Sequence, residues 1–242
     1  MDTGTCQTAG ARIPPGAATG IPAITPAPVA AFHEVAGAWH QHDLLIIMAD
    51  TERLLSGYAD IPAVIECPDE ERHRTRYARR RHAASHMLAR LALAAILRKR
   101  SPDDITLVQE PTGGIRIAGE DSVCLCISYS HTLLALAFAR GKVGIDIERI
   151  RPLAINHIPA LVSTICDDQP EIPPDCTAFL QHWTALEAHA KYSNIPLWKM
   201  LQNPQAGRQG HAASYLIQGS AVLSVVTETP CPLHRIRCLR KQ

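Results

Sequence analysis

The sequence predicts an α+β protein built from two similar halves, and three observations carry that reading. A long stretch of helical period, Asp69 to Arg100, precedes five short alternating or apolar segments. A second helical stretch, Cys176 to Asn194, precedes two more such segments. The border between the runs falls near Val143, so helix followed by strands occurs twice, although no internal repeat is visible by letters. On this plan residues 1–34 are an Ala/Pro/Gly-rich arm expected to be flexible, 35–142 an N-terminal α+β half, and 143–242 a C-terminal α+β half.

The elements follow in order. "AWHQHDLLIIMAD" offers a strand around Leu44 to Met48, and "TERLLSGYA" a short helix after it. From Asp69 to Arg100 acidic residues begin and basic residues end a helix, in accord with its dipole, and Pro102 stops it. Ala84, Met87, Leu88, Leu91 and Ala95 form its inward stripe, and Arg79, Arg80 and Arg81 a basic patch. Strands are expected at "ITLVQ", "GIRIA", "VCLCISYS", "LLALAFA" and "VGIDIE", with "EPTGG", "GED", "HT" and "RGK" as the turns. A Pro-rich loop around a short helical candidate leads to the helix "CTAFLQHWTALEAHAKYSN", with Phe179, Trp183, Leu186 and Ala190 facing inward. "HAASYLIQGSAVLSVVTETP" closes the chain as a hairpin.

With 242 residues and 46% hydrophobic content the chain can bury a sizeable core. Its formal charge of +1, with twelve His uncounted, gives no general attraction for nucleic acid or membrane, so anion binding must come from local patches. None of the eight cysteines forms a C-x-x-C pair, which favours reduced core thiols over a zinc or redox centre. The sequence shows neither a membrane-length apolar run nor a leader pattern in its first thirty residues, and a cytoplasmic location is the expectation.

The chemistry concentrates in two places. In "VGIDIE" the residues Val143, Ile145 and Ile147 alternate with Gly144, Asp146 and Glu148, so an extended chain turns both carboxylates to one face. Such a pair fits one hard cation such as Mg²⁺, and it also fits a solvated edge strand protected from aggregation. In "WTALEAHAK" Glu187 stands one helical turn before Lys191, at the margin of the apolar stripe. That spacing describes a surface ion pair worth about 0.2–0.5 kcal/mol, or a carboxylate presented to a cleft. Ser130 and His131 end a strand at a turn, and no nucleophile elbow surrounds them.

Taken in order, an Arg-rich helix, a Gly-rich turn, S-H, V-G-I-D-I-E and then W-x-x-x-E-A-x-x-K, the chain resembles the 4′-phosphopantetheinyl transferases over most of residues 40–240. It is similar to the larger, surfactin-synthetase-activating kind, whose two α+β halves pack as a pseudo-dimer. The resemblance implies transfer of the phosphopantetheine arm of coenzyme A to a serine of an acyl or peptidyl carrier protein, such as serve fatty acid, polyketide and nonribosomal peptide synthesis, releasing 3′,5′-ADP. It implies Mg²⁺, or Mn²⁺, held by Asp146, Glu148 and Glu187, with catalysis by Glu187, Asp146 and Lys191. Coenzyme A is expected at Arg81, Ser130, His131, Gly113, Gly114 and Lys191. A monomer is implied, with neither nucleic acid nor membrane as partner.

Three features depart from the family pattern. Leu186 stands where a lysine usually precedes the helix glutamate, and Gly113-Gly114-Ile115 replaces Gly-Lys-Pro. "YSNIPL" replaces the glycines after the final lysine. Arg116 and Lys142 are the nearby basic residues that could restore the lost charge. The departures leave open a degenerate relative that binds coenzyme A or a carrier without transferring the arm. The acid-and-lysine set also leaves open a metal-dependent nuclease.

Overall fold

In the computed structural model the described residues are 21–24, 27–29, 32–52, 76–110, 112–152, 176–203, 209–231 and 236–239. In chain order they form β1 (Ala23–Ile24), β2 (Ala27–Val29), α1 (Phe32–His40), β3 (Leu44–Asp50) and α2 (Arg76–Ile96). A 3-10 turn (Pro102–Asp104) leads to β4 (Leu107–Gln109), β5 (Ile115–Ile117), β6 (Cys124–Ser130), β7 (Leu133–Ala139) and β8 (Val143–Arg149). Then come α3 (Cys176–Ser193), α4 (Leu197–Gln202), β9 (His211–Ile217), β10 (Ala221–Thr227) and β11 (Ile236–Leu239). The α+β class expected from the sequence stands, with two separate sheets.

Strand alternation sets the layers. In β7 and β3 the residues Leu134, Leu136, Phe138, Leu45 and Ile47 share one core with Val35 and Trp39 of α1 and Leu88, Ala92 and Leu93 of α2. Their neighbours Ala135, Ala137, Leu44, Ile46 and Met48 point the other way, into a second core with Val143, Ile145, Ile147, Leu223 and Val225. A third core joins Val222 of β10 to Phe179, Leu180, Leu186 and Ala190 of α3 and Met200 of α4. The layers are therefore helices, a seven-stranded sheet, a four-stranded sheet, and helices. Because side chains repeat every two residues along a strand, apolar residues on both faces make β3, β7 and β10 almost wholly buried.

The seven-stranded sheet has the order β2-β11-β3-β7-β6-β5-β4, and the four-stranded sheet the order β1-β9-β10-β8. The chain's ends cross between them. β11, which falls in the 143–242 half, pairs in parallel with β3, while β1 pairs in parallel with β9. The division at Val143 thus places β8, β9 and β10 in one sheet but not β11. Within residues 1–34 the described part contributes β1 and β2, with Ile21 buried; residues 1–20 lie outside the described residues.

Helix ends explain the other differences from the sequence reading. α2 stops at Ile96 rather than Arg100 because Arg98 adopts a left-handed φ of 53°, and Lys99 N donates to Ala94 O at 2.9 Å. Its inward stripe runs through Ala84, Leu88, Ala92 and Ile96, with Met87 and Leu91 only half-buried. Asn194, at φ 53°, ends α3 in the same manner, with Ile195 N donating to Ala190 O. The first residues expected for α2, 69–75, and most of "TERLLSGYA" lie outside the described residues, as does the Pro-rich loop beyond Pro152. No helix among the described residues is long and apolar enough to cross a membrane, and the cysteines described, Cys124, Cys126, Cys176, Cys231 and Cys238, are free thiols.

Candidate functional site

One glycine brings the two sequence motifs together. A Cβ on Gly144 would overlap the Ala188 carbonyl oxygen and lie 2.6 Å from Tyr192 N, so only glycine lets the backbone of α3 rest directly on β8. Ala188 and Tyr192 occupy the contact, and the neighbouring positions Glu187 and Lys191 are carried beside Asp146 and Glu148.

Lys191 is the centre of the cluster. Its Nζ donates to Asp146 Oδ1 at 2.7 Å, Ile145 O at 3.1 Å and Ser128 Oγ at 3.1 Å, and stands 3.9 Å from Glu187 Oε2. The Asp146 side chain is only 4% exposed, so this pair acts in a medium that screens charge poorly. Burial alone would lower the Lys191 ammonium, but Asp146 and, after it, Cys126 and Glu187 hold it above its ordinary value. Glu187 is pushed up to about 8, first by burial and then by the negative charge of Asp146, against the opposing pull of Lys191. Asp146, Glu148 and Glu187 thus line the same cavity as a single lysine, Lys191.

Two serines of β6, one of them absent from the sequence reading, complete the arrangement. Ser128 Oγ donates to Asp146 Oδ1 at 2.7 Å and accepts from Ile147 N at 3.3 Å. Ser130 Oγ donates to Glu148 Oε2 at 2.6 Å and accepts from Arg149 N at 3.1 Å. Both hydroxyls are buried.

Asp146, Glu148, Glu187, Lys191 and Gly113 line one cavity of about 290 Å³, whose facing wall is His82, Ser85 and His86 of α2 with Tyr129. The two imidazoles, one helical turn apart, stand with ring centroids 4.0 Å apart. Neither entered the sequence reading, although H-x-x-x-H on a helix places both rings on one face. A larger cavity of about 650 Å³ adjoins it, sharing Gly113, Ile115, Ile127, Glu187 and Lys191 and lined further by Gly114, Arg116, Lys142 and Tyr192.

The remaining expected residues are spread around this centre. Arg81 lies with its guanidinium 3.9 Å over the ring of Tyr129, which lines the smaller cavity. His131, in a left-handed turn at φ 54°, is exposed, lies 2.6 Å from Arg151 Nη1 through Nε2, and lines neither cavity. Ser130 is committed to Glu148 rather than turned to solvent with its neighbour. Gly113 needs its glycine, with φ at 94°. At Gly114 a Cβ would fall 3.2 Å from both Asn194 Oδ1 and Glu110 Oε2, because Asn194 clasps the turn through Glu110 and Thr112. Leu186 is 5% exposed, packed in the core between α3, α4 and β10.

The donor set fits a hard divalent cation on two counts. Asp146 Oδ2 is buried and has no hydrogen-bond partner among the described residues, and three carboxyl side chains, Asp146, Glu148 and Glu187, line the cavity. Among the described residues, however, no three His, Cys, Asp or Glu side chains already stand close enough to hold a metal ion. The Lys191 ammonium supplies the positive charge at Asp146 Oδ1. Comparison with models of known protein families and with curated proteins finds no match to the chain.

Proposed function

We propose that the chain is a Mg²⁺-dependent 4′-phosphopantetheinyl transferase whose two halves follow the pseudo-dimeric plan. The observation that carries the reading is the convergence of Asp146, Glu148, Glu187 and Lys191 from β8 and α3 on one cavity wall, through the close contact at Gly144. Asp146, Glu148 and Glu187 would hold the cation, which when bound neutralises and aligns the pyrophosphate of coenzyme A.

The residues then have distinct tasks. Glu187 lines the cavity, and its carboxylate form, which a cation bound beside it would favour over the protonated form it keeps up to about pH 8, would accept the proton of the incoming carrier serine while that oxygen bonds to the phosphorus of the arm and the pyrophosphate P–O bond breaks to release 3′,5′-ADP. Lys191 holds Asp146 in place through the contact of its Nζ with Oδ1 at 2.7 Å. Arg116 and Lys142 in the adjoining cavity offer the positive charge that Leu186 and Gly114 do not.

A second reading, a relative that binds coenzyme A or a carrier without transfer, is favoured by the exposed position of His131 outside both cavities and by the burial of Leu186. Calorimetric titration with coenzyme A tests the site common to both. Binding that strengthens with Mg²⁺ or Mn²⁺, and loses that dependence in Glu148→Gln, is the expected result. Binding indifferent to the cation contradicts the metal site, and salt-sensitive DNA binding in its place would favour the nuclease reading.

A further inference from the structure

We propose that Ser128 and Ser130 are positioning residues for the acidic wall, each using one hydroxyl to lock a β8 carboxylate to the β8 backbone. The inference rests on the reading of Asp146 and Glu148 as cation ligands.

The geometry repeats with the strand period. Ser128 takes the amide of Ile147 and gives its proton to Asp146; two residues on, Ser130 takes the amide of Arg149 and gives its proton to Glu148. Both hydroxyls come from β6 of the seven-stranded sheet, and both carboxylates from β8, the last strand of the other sheet. The Ile147 and Arg149 amides are therefore taken by serine hydroxyls and not by a further strand.

An amide cap alone would need only an acceptor. Donation at 2.7 and 2.6 Å to the two carboxylates is the additional feature. A hydroxyl has one proton and two lone pairs. At Ser128 all three are used, the second lone pair by Lys191 at 3.1 Å, so the proton has one direction and Asp146 Oδ1 is its fixed acceptor. With Oδ1 held by Ser128 and Lys191, Oδ2, which meets no donor within hydrogen-bond geometry among the described residues, is the atom left for a cation or for the Glu187 carboxyl that the cation would displace. The pair of serines thus chooses which carboxylate oxygens remain open, a supporting role that metal sites assign to hydrogen bonds behind the ligands.

The test uses the full chain and Mn²⁺ alone, followed by electron paramagnetic resonance of the free ion. Ser128→Ala and Ser130→Ala are each expected to weaken Mn²⁺ binding about 10-fold or more. The variants Ser128→Thr and Ser130→Thr, which keep the hydroxyl, are expected to restore it. Urea denaturation checks folding, and where an alanine variant does not fold the size-matched Ser→Cys variant replaces it. Wild-type affinity in the folded Ala or Cys variants overturns the positioning role and leaves the cation site standing. Failure of the wild-type chain to bind Mn²⁺ overturns the site itself, and the positioning role with it.

Discussion

Gly144→Ala is the most informative single change, because the contact it disturbs assembles the site. The added Cβ would stand 2.6 Å from Tyr192 N and 2.8 Å from Tyr192 Cβ, with the Ala188 oxygen nearer still. Ordinary contacts of this kind are about 3.5 Å or longer, so α3 must recede from β8 by roughly 1 Å. Overpacking of this order costs about 1–3 kcal/mol, and the reduced freedom of the unfolded chain returns about 0.4–1 kcal/mol. The net loss is about 1–2 kcal/mol, or a fall of roughly 2–8 °C in Tm for a chain of this size. Urea denaturation followed by circular dichroism, with an unchanged slope, reads it. The retreat also draws Glu187 of α3 away from Asp146 and Glu148 of β8, so on the proposed reading cation affinity falls with stability. A variant as stable as wild type, with cation binding intact, would refute the packing of α3 on β8 described above.

Other expectations follow from the same cluster. Leu186→Lys, which would restore the pattern of the transferases the sequence resembles, places an ammonium in the core around Phe179 and Met200; it should cost about 2–5 kcal/mol in urea denaturation. Asp146→Ala leaves the part-buried Lys191 ammonium with Ile145 O, Ser128 Oγ and Glu187 as its remaining partners, so it should destabilise the fold by about 1–3 kcal/mol in urea denaturation. Glu187 keeps its proton in the folded chain up to about pH 8 and loses it near its ordinary value of 4.5 when unfolded. The unfolded state therefore binds fewer protons between these values, and the contribution of Glu187 to stability falls as pH rises across them. Urea midpoints measured from pH 5 to 8 should show that slope in wild type and a flatter one in Glu187→Gln.

What the sequence made legible is what local period can encode. Alternation in "VGIDIE" and the four-residue step from Glu187 to Lys191 are properties of a single strand and a single helix, and the structure carries all four residues to one wall. Ser128 escaped because a serine inside "CLCISYS" has no period of its own; its importance comes from β8 lying against β6, a contact between sheets. The same limit applies to Ser130, which reads locally as half of an S-H pair yet is bound to Glu148 eighteen residues away. His82 and His86 did carry a local signal in their helical spacing, masked by the arginines beside them. β1, β2 and β11 are two to four residues long and pair in parallel with distant segments, so neither length nor pattern marks them. α1 follows a Pro-rich stretch and contains Gly37, both of which weaken the helical reading.

The most direct measurement is the intact mass of an apo carrier protein incubated with this chain, coenzyme A and Mg²⁺. The account predicts that the carrier gains one phosphopantetheine arm, that 3′,5′-ADP appears in equal amount, and that a chelator stops both. Several different carriers left unmodified, by a chain that binds coenzyme A in a cation-dependent manner, would contradict the transferase claim and leave a binding protein.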